Sequence, residues 1–325
     1  MHILLSTDKN YIMPSAVMMK SVSVNHPDTE VVFHVLVDSS VAEEHQRQLE
    51  SVLVNPKHRV VFHLVDDHLF DDFPMGNIKA YISKATYYRL IITEVIPEDV
   101  DKILYLDGDM IVRHDLSDLW NTNLEGYALG AVTDMAEDQH DYQRLGYDRK
   151  FGYFNAGMLL INLKYWREHR LKDLFIKLIT EEPRRIVLHD QDVLNITLHE
   201  HKLNLPMRYN VQNGFLWYRE HQQFGSRSIE YADDLKAAVA DPYIVHYTSN
   251  IKPWHKEDCN PYGYEFLKYY KQTQWRYVPF GTCNKSKLRY YAGRILRGLH
   301  LAAPAKTEEG MFLTWEEIEN LKHSL

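Results

Sequence analysis

From residue 1 to about residue 135, short apolar, β-branched runs alternate with stretches whose hydrophobic positions recur at helical spacing. This is the pattern of βαβ units feeding a mostly parallel sheet. Residues 2–5, 31–37, 60–64, 103–106 and 129–132 read as strands. Between the first two, Pro14 suits the first turn of a helix whose apolar stripe is Val17, Met18 and Val22. Ser40 and Glu43 have the spacing of a capping box opening the next helix, which buries Leu49, Val52 and Leu53. Past residue 150 the pattern is mixed, with strands expected over 158–162 and 243–246 and helices around 171–180 and 193–198. No internal repeat or low-complexity linker separates the halves, so residues 1–280 are expected to pack as one domain. Residues 281–325 differ in kind. From Asn284 to Lys306 every formal charge is positive (Lys285, Lys287, Arg289, Arg294, Arg297, Lys306), and Thr314 and Glu317 then open a short acidic terminal helix.

Composition narrows the function. With 325 residues, 45% hydrophobic and 25% charged, the chain has room for a large α/β core. A net charge of -8 argues against a surface built to neutralise a nucleic-acid backbone. The two cysteines, Cys259 and Cys283, make neither a disulfide framework nor a zinc site of paired CxxC motifs. Met1 runs directly into the first strand without a leader pattern, and no apolar run approaches the roughly 20 residues that span a bilayer. The expected location is therefore the cytoplasm.

The candidate chemistry begins at Asp107-Gly108-Asp109. The continuous apolar run 103–106 suits a strand buried on both faces, and open α/β sheets bind ligands at the C-terminal ends of such strands. Two carboxylates one residue apart share a side in extended backbone, and Gly108 leaves room for a ligand; the pair offers hard oxygens to Mn²⁺ or Mg²⁺. The bland alternative is a tight Asp-Gly turn. No EF-hand spacing follows the pair, and the chain has no GxGxxG or GxxxxGK[ST] loop. Asn155-Ala156-Gly157 reads locally as a turn feeding a buried strand, and in His189-Asp190-Gln191-Asp192 either aspartate reads as a helix N-cap. His246 stands at a strand end, where it can complete a metal shell, and Lys252 six residues on can neutralise a diphosphate. The string Ser6-Thr7-Asp8-Lys9-Asn10-Tyr11 closes the first strand, where Asp8 can hold a base or ribose edge and Tyr11 can stack on a base.

Together these strings resemble glycosyltransferase family 8, the retaining enzymes that include bacterial lipopolysaccharide galactosyl- and glucosyltransferases and the glycogenins. The resemblance spans residues 1–280 and rests on six strings in family order: Thr7 to Tyr11, Tyr87-Tyr88-Arg89-Leu90, Tyr105 to Asp109, Phe154 to Asn162, His189 to Asn195, and His246 with Lys252-Pro253-Trp254. It implies a GT-A type α/β domain that binds a nucleotide sugar, with a central mixed, mostly parallel sheet flanked by helices and, here, a basic C-terminal tail. It implies further that Ser6, Asp8, Asn10 and Tyr11 hold the uridine end of a UDP-sugar, that Asp107, Asp109 and His246 ligate Mn²⁺, and that Lys252 grips the diphosphate. Arg89, Asp134, Asn155, Ala156, Asp190 and Gln191 would line the sugar. Two positions depart from the family pattern: Ser249 stands where a glycine is usual, leaving its backbone N–H to meet a phosphate, and Tyr81 stands in a segment where some bacterial relatives carry a histidine.

The expected activity is transfer of galactose or glucose from a UDP-hexose to a glycan or lipid-linked glycan in cell-surface or lipopolysaccharide synthesis. With Gln191 a poor nucleophile, front-face attack within an ion pair is favoured over a covalent intermediate on Asp190 or Asp192. The rivals are a nucleotidyltransferase, which would want a Gly/Arg/Lys-rich triphosphate loop the chain lacks, and a non-catalytic nucleotide-sugar binder, from which one of the chemical residues should be missing. The basic stretch 284–306, with Tyr290, Tyr291, Ile295, Leu296, Leu299 and Leu301, is expected to lie on anionic lipid at the inner face of the membrane.

Overall fold

In the computed structural model, residues 1–71, 73, 84–217, 232–283 and 311–323 are described. Among the described residues ten strands form two sheets: β1 (His2–Thr7), β2 (Val32–Val37), β3 (Arg59–Leu64), β4 (Lys102–Leu106), β5 (Met110–Val112), β6 (Leu129–Thr133), β7 (Phe154–Asn162), β8 (Lys202–Asn204), β9 (Val211–Gln212) and β10 (Ile244–His246). The larger sheet has the order β3-β2-β1-β4-β7-β6-β8, and the smaller has β5-β10-β9. In the larger sheet β7 alone runs against its neighbours β4 and β6; every other pairing is parallel. The chain is thus a mixed, mostly parallel α/β fold.

The continuous apolar runs follow from helices covering both faces of this sheet. Ile3, Leu5, Leu104 and Leu106 enter one core, which includes the Ile12–Asn25 helix. The alternate residues Leu4, Ile103 and Tyr105 enter the other core, on the opposite face, beside Trp166 and Phe175. The Ile12–Asn25 helix is buried almost all round, so Ser15, Lys20, Ser21 and Ser23 are inside along with the expected stripe. The expected capping box at Ser40 is not formed. The helix starts at Glu43 behind Ala42, whose N–H donates to His45 Nδ1, and Ser40 Oγ instead accepts from Lys9 N. At the other terminus the box does form: Thr314 N donates to Glu317 Oε2 at 2.7 Å, and Glu317 N donates to Thr314 Oγ1 at 3.3 Å. Residues 311–323 pack back on the sheet-bearing body, with Leu313 N on Leu216 O and Ile318 fully buried. The basic stretch 284–306 and Tyr81 lie outside the described residues, among which no helix is long and apolar enough to cross a membrane.

Three histidines cross the first three strands. His2 Nδ1 lies 2.9 Å from His34 Nε2, and His34 Nδ1 lies 2.9 Å from His63 Nε2. Each contact needs one N–H and one lone pair, so a neutral ladder satisfies both. Burial, then the neighbouring His2, His63 and Arg59, pushes the central His34 down to about 3. His34 is therefore neutral in the folded chain at a pH where the unfolded chain protonates it. Its stabilising contribution is complete above the ordinary histidine value and declines as pH falls below it, by about 2 kcal/mol between pH 6.5 and 5. Urea unfolding at those two pH values is expected to show this loss, and His34→Phe is expected to reduce it, leaving the part that comes from His2, His26 and His63, whose folded values burial also lowers.

Candidate active site

The two sheets meet at a cleft of about 670 Å³ at the C-terminal ends of β1 and β4. Asp107 follows β4 in the larger sheet, and Asp109 precedes β5 in the smaller, so the Asp-Gly-Asp turn passes between sheets and does not close a hairpin. His246, at the end of β10, pairs with Met110 across the small sheet and faces both carboxylates. Its Nε2 is 3.8 Å from Asp107 Oδ2 and 3.4 Å from Asp109 Oδ1. The three ligand atoms lie within 4.8 Å of one another.

Each carboxylate divides its two oxygens. Asp107 Oδ1 accepts from Arg89 Nη2 at 2.8 Å and from the Tyr105 hydroxyl at 2.7 Å, leaving Oδ2 toward the imidazole. Asp109 Oδ2 accepts from Lys252 Nζ at 2.7 Å and from Tyr11 OH at 3.3 Å, leaving Oδ1 toward the imidazole. Burial alone would raise the Asp109 carboxyl, but Lys252 and then His246 hold it far below the ordinary range. Two anionic oxygens and one imidazole nitrogen converging at these separations fit a hard divalent cation whose remaining positions stay open. The glycine at 157 belongs to the same fit: a Cβ there would lie 2.3 Å from His246 Cε1 and 2.8 Å from Asp107 Oδ2. Gly108 lines the cleft and has a further reason to be glycine, because a Cβ would meet Ser15 Oγ at 2.6 Å and Tyr11 Cδ1 at 3.2 Å. Its bare backbone lets the turn lie against the start of the Ile12–Asn25 helix.

On the β1 side, Ser6, Asp8 and Tyr11 line the cleft. Ser6 Oγ is buried without a hydrogen-bond partner among the described residues. Tyr11 meets the Trp254 ring edge-on at 5.7 Å. Asn10 and Ser249 are not among the lining residues: Asn10 N closes a turn on Asp8 Oδ1, and Ser249 Oγ donates to Ile251 O. Lys252 is buried, with Nζ between Asp109 and the Tyr247 carbonyl.

On the other side Arg89, Asn155, Ala156, Asp190 and Gln191 line the cleft. The 155–157 segment lies inside β7, where the local pattern pointed to a turn; its small residues let β7 run beside Asp107, whose N–H donates to Gly157 O. Arg89 is buried, stacked on Tyr105, and donates to the Ala156 carbonyl as well as to Asp107. The 189–192 string is the first turn of the His189–Leu198 helix, and its two aspartates part company. Asp192 is fully buried and takes Val187 N at 2.7 Å, Leu188 N at 2.8 Å, Arg144 Nη1 at 2.8 Å and Tyr153 OH at 2.8 Å. Asp190 accepts from Thr86 Oγ1, and its other oxygen lies 3.1 Å from Arg89 Nε; burial raises its carboxyl against the pull of Arg89 and Thr86. Gln191 Oε1 accepts from Ala156 N, and Nε2 donates to Asp134. Asp134 does not line the cleft; it stands behind Asn155 and Gln191 and bonds both. Burial would raise its carboxyl, but His140, Ala136 N and Asn155 hold it below the usual range.

Asn210 was not legible in the sequence. It is fully buried just before β9, and its Oδ1 sits 2.9 Å from His246 Nδ1. No local pattern marks it; only the pairing of β9 with β10 brings it against His246.

The model of the family described as Glycosyl transferase family 8 matches residues 2–258. General stress protein A of Bacillus subtilis is 27% identical over 281 residues, covering 86% of this chain and 96% of that protein. A lipopolysaccharide 1,3-galactosyltransferase of Salmonella typhimurium is 27% identical over 305 residues, covering 90% of this chain and 85% of that protein. Among solved structures, the galactosyltransferase LgtC in complex with donor and acceptor sugar analogs matches with a TM-score of 0.76 at 32% identity, covering 85% of this chain and 99% of LgtC. A second LgtC structure, of an active-site glutamine-to-glutamate mutant, matches equally well.

Proposed function

The chain belongs to glycosyltransferase family 8, and from that premise we propose that it moves a hexose, galactose or glucose, from a UDP-sugar to a saccharide acceptor with retention, using Mn²⁺ or Mg²⁺ held by Asp107, Asp109 and His246. The observation that carries this is the divided carboxylates: each spends one oxygen on a buried protein cation and turns the other to the lone imidazole nitrogen.

The charge balance supports a cation. Asp107, Asp109 and Asp190 outnumber Arg89 and Lys252 on the cleft wall, which by itself repels a diphosphate. When bound, the divalent ion supplies the positive charge that stabilises the leaving diphosphate. Lys252 adds a second positive charge fixed against Asp109, and Ser6 Oγ, buried at the cleft wall, has no hydrogen-bond partner among the described residues. Tyr11, braced edge-on by Trp254, offers a ring for the base.

Retention by a covalent intermediate needs a carboxylate free beneath the sugar. Asp192 is buried and saturated, and both oxygens of Asp190 face Thr86 and Arg89. With Asp192 saturated and Asp190 Oδ2 ion-paired with Arg89 though not hydrogen-bonded, front-face attack by the acceptor is favoured, with Gln191 held by Ala156 and Asp134 against the developing positive charge. That LgtC has an active-site glutamine supports the same role for Gln191. Arg89 acts on this reading through Asp107 and Asp190, not by reaching the sugar. The names of the lipopolysaccharide galactosyl- and glucosyltransferases among the relatives support a glycan or lipid-linked glycan acceptor. The basic composition of 284–306 would then bring the cleft to an anionic membrane surface from the cytoplasm.

Calorimetric titration of UDP with Mn²⁺ and with EDTA tests the donor site. Losing a charge-assisted contact costs about 1.5–3 kcal/mol, so binding is expected to weaken at least about tenfold in EDTA. Equal affinity in both conditions would remove the metal from the site.

A further inference from the structure

The orientation of His246 is dictated from a carboxylate on the other side of the site. Asp134 is held ionised and can only accept, so Asn155 must present Nδ2 to it, at 3.1 Å. Asn155 Oδ1 is then the acceptor for Gly157 N at 3.0 Å and for Asn210 Nδ2 at 2.9 Å. That leaves Asn210 Oδ1 toward His246 Nδ1 at 2.9 Å, so Nδ1 must carry the proton. Nε2 is therefore the ring nitrogen turned to the space shared with Asp107 and Asp109, where a cation can take it as a ligand. Every link of this chain is buried: Asp134 and Asn155 are 7% exposed, Asn210 0% and His246 5%. At this burial, reversing one amide would set a donor against a donor or an acceptor against an acceptor. The same Asp134 also fixes Gln191 through its Nε2 at 3.3 Å.

We propose that Asn210 is a positioning residue that sets the metal-binding tautomer of His246 and ties the metal site, through Asn155, to the Asp134–Gln191 side of the cleft. This rests on the assignment of Asp107, Asp109 and His246 to a divalent cation. Two variants separate the two ends of the link. Asn210→Leu removes the acceptor for Nδ1–H and the donor to Asn155 together. Asn210→Asp keeps an acceptor on His246, which is the more common carboxylate partner of a metal-bound histidine, but sets oxygen against Asn155 Oδ1.

The free Mn²⁺ electron paramagnetic resonance signal gives Mn²⁺ affinity without turnover. Asn210→Leu is expected to bind Mn²⁺ about 10- to 100-fold more weakly than wild type. Asn210→Asp is expected to recover most of that affinity while kcat for UDP-sugar hydrolysis stays depressed, because the Asn155 end is still broken. A residue that merely fills space would not produce this split. Wild-type affinity in Asn210→Leu, or affinity in Asn210→Asp as poor as in the leucine variant, overturns the inference while leaving the metal assignment standing. Absence of Mn²⁺ binding by wild type overturns the metal assignment and the inference with it.

Discussion

Gly157→Ala is expected to lower Mn²⁺-dependent UDP-sugar turnover roughly 100-fold, because displacement of catalytic groups by about 1 Å costs that much. The added methyl would sit 2.3 Å from His246 Cε1, 2.9 Å from His246 Nδ1 and 2.8 Å from Asp107 Oδ2. None of these neighbours can retreat freely. His246 is held by Asn210, Asp107 by Arg89 and Tyr105, and the glycine itself by the β4–β7 ladder, through its carbonyl to Asp107 N. Two of the three proposed metal ligands must move apart. Overpacking of this kind costs about 1–3 kcal/mol of stability, so the variant should still fold. A folded Gly157→Ala with wild-type turnover at saturating Mn²⁺ would show that the metal does not sit between Asp107 and His246.

The second large effect is on stability. Asp192→Ala is expected to destabilise the protein by about 3–5 kcal/mol, because it leaves a largely buried guanidinium without its carboxylate. Arg144 loses two contacts, the Tyr153 hydroxyl loses its acceptor, and the N–H groups of Val187 and Leu188 lose theirs. The last two matter for the cleft as well as the core, because residues 186–189 form its rim ahead of Asp190 and Gln191. Urea denaturation reads the loss. A decrease below about 1 kcal/mol, the range of an exposed pair, would mean that the network does not hold the rim.

What could be read from the sequence was local. The run 103–106 and the following Asp-Gly-Asp sit on adjacent residues, so the buried strand and its cleft-facing end were legible together. His246 and Lys252 were legible for the same reason, as one strand end and the loop after it. The direction of β7 was not. A strand buried on both faces reads the same either way, and Asn155-Ala156-Gly157 suggests a turn in isolation, whereas Gly157 is a glycine because the strand passes His246 and Asp107 there. Nor could the sequence separate Asp190 from Asp192. Both look like caps, but the turn of the His189–Leu198 helix sends one toward Thr86 and Arg89 at the cleft and the other into Arg144 and Tyr153. Asn210 and the Arg144 network are long-range facts, made only when strands and loops distant in the chain come together. Ser40 failed as a cap because Lys9 N claims its hydroxyl from across the β1–β2 edge.

The most direct test is release of UDP from a panel of UDP-hexoses by the wild-type protein and by Asp109→Asn, each assayed with Mn²⁺ and with EDTA. Asp109 carries one of the two carboxylate oxygens turned to His246 and is the acceptor of Lys252. Turnover of at least one UDP-hexose by wild type with Mn²⁺, abolished by EDTA and nearly absent in Asp109→Asn under either condition, is the predicted result. Turnover by Asp109→Asn in EDTA equal to that of wild type in Mn²⁺ would contradict it.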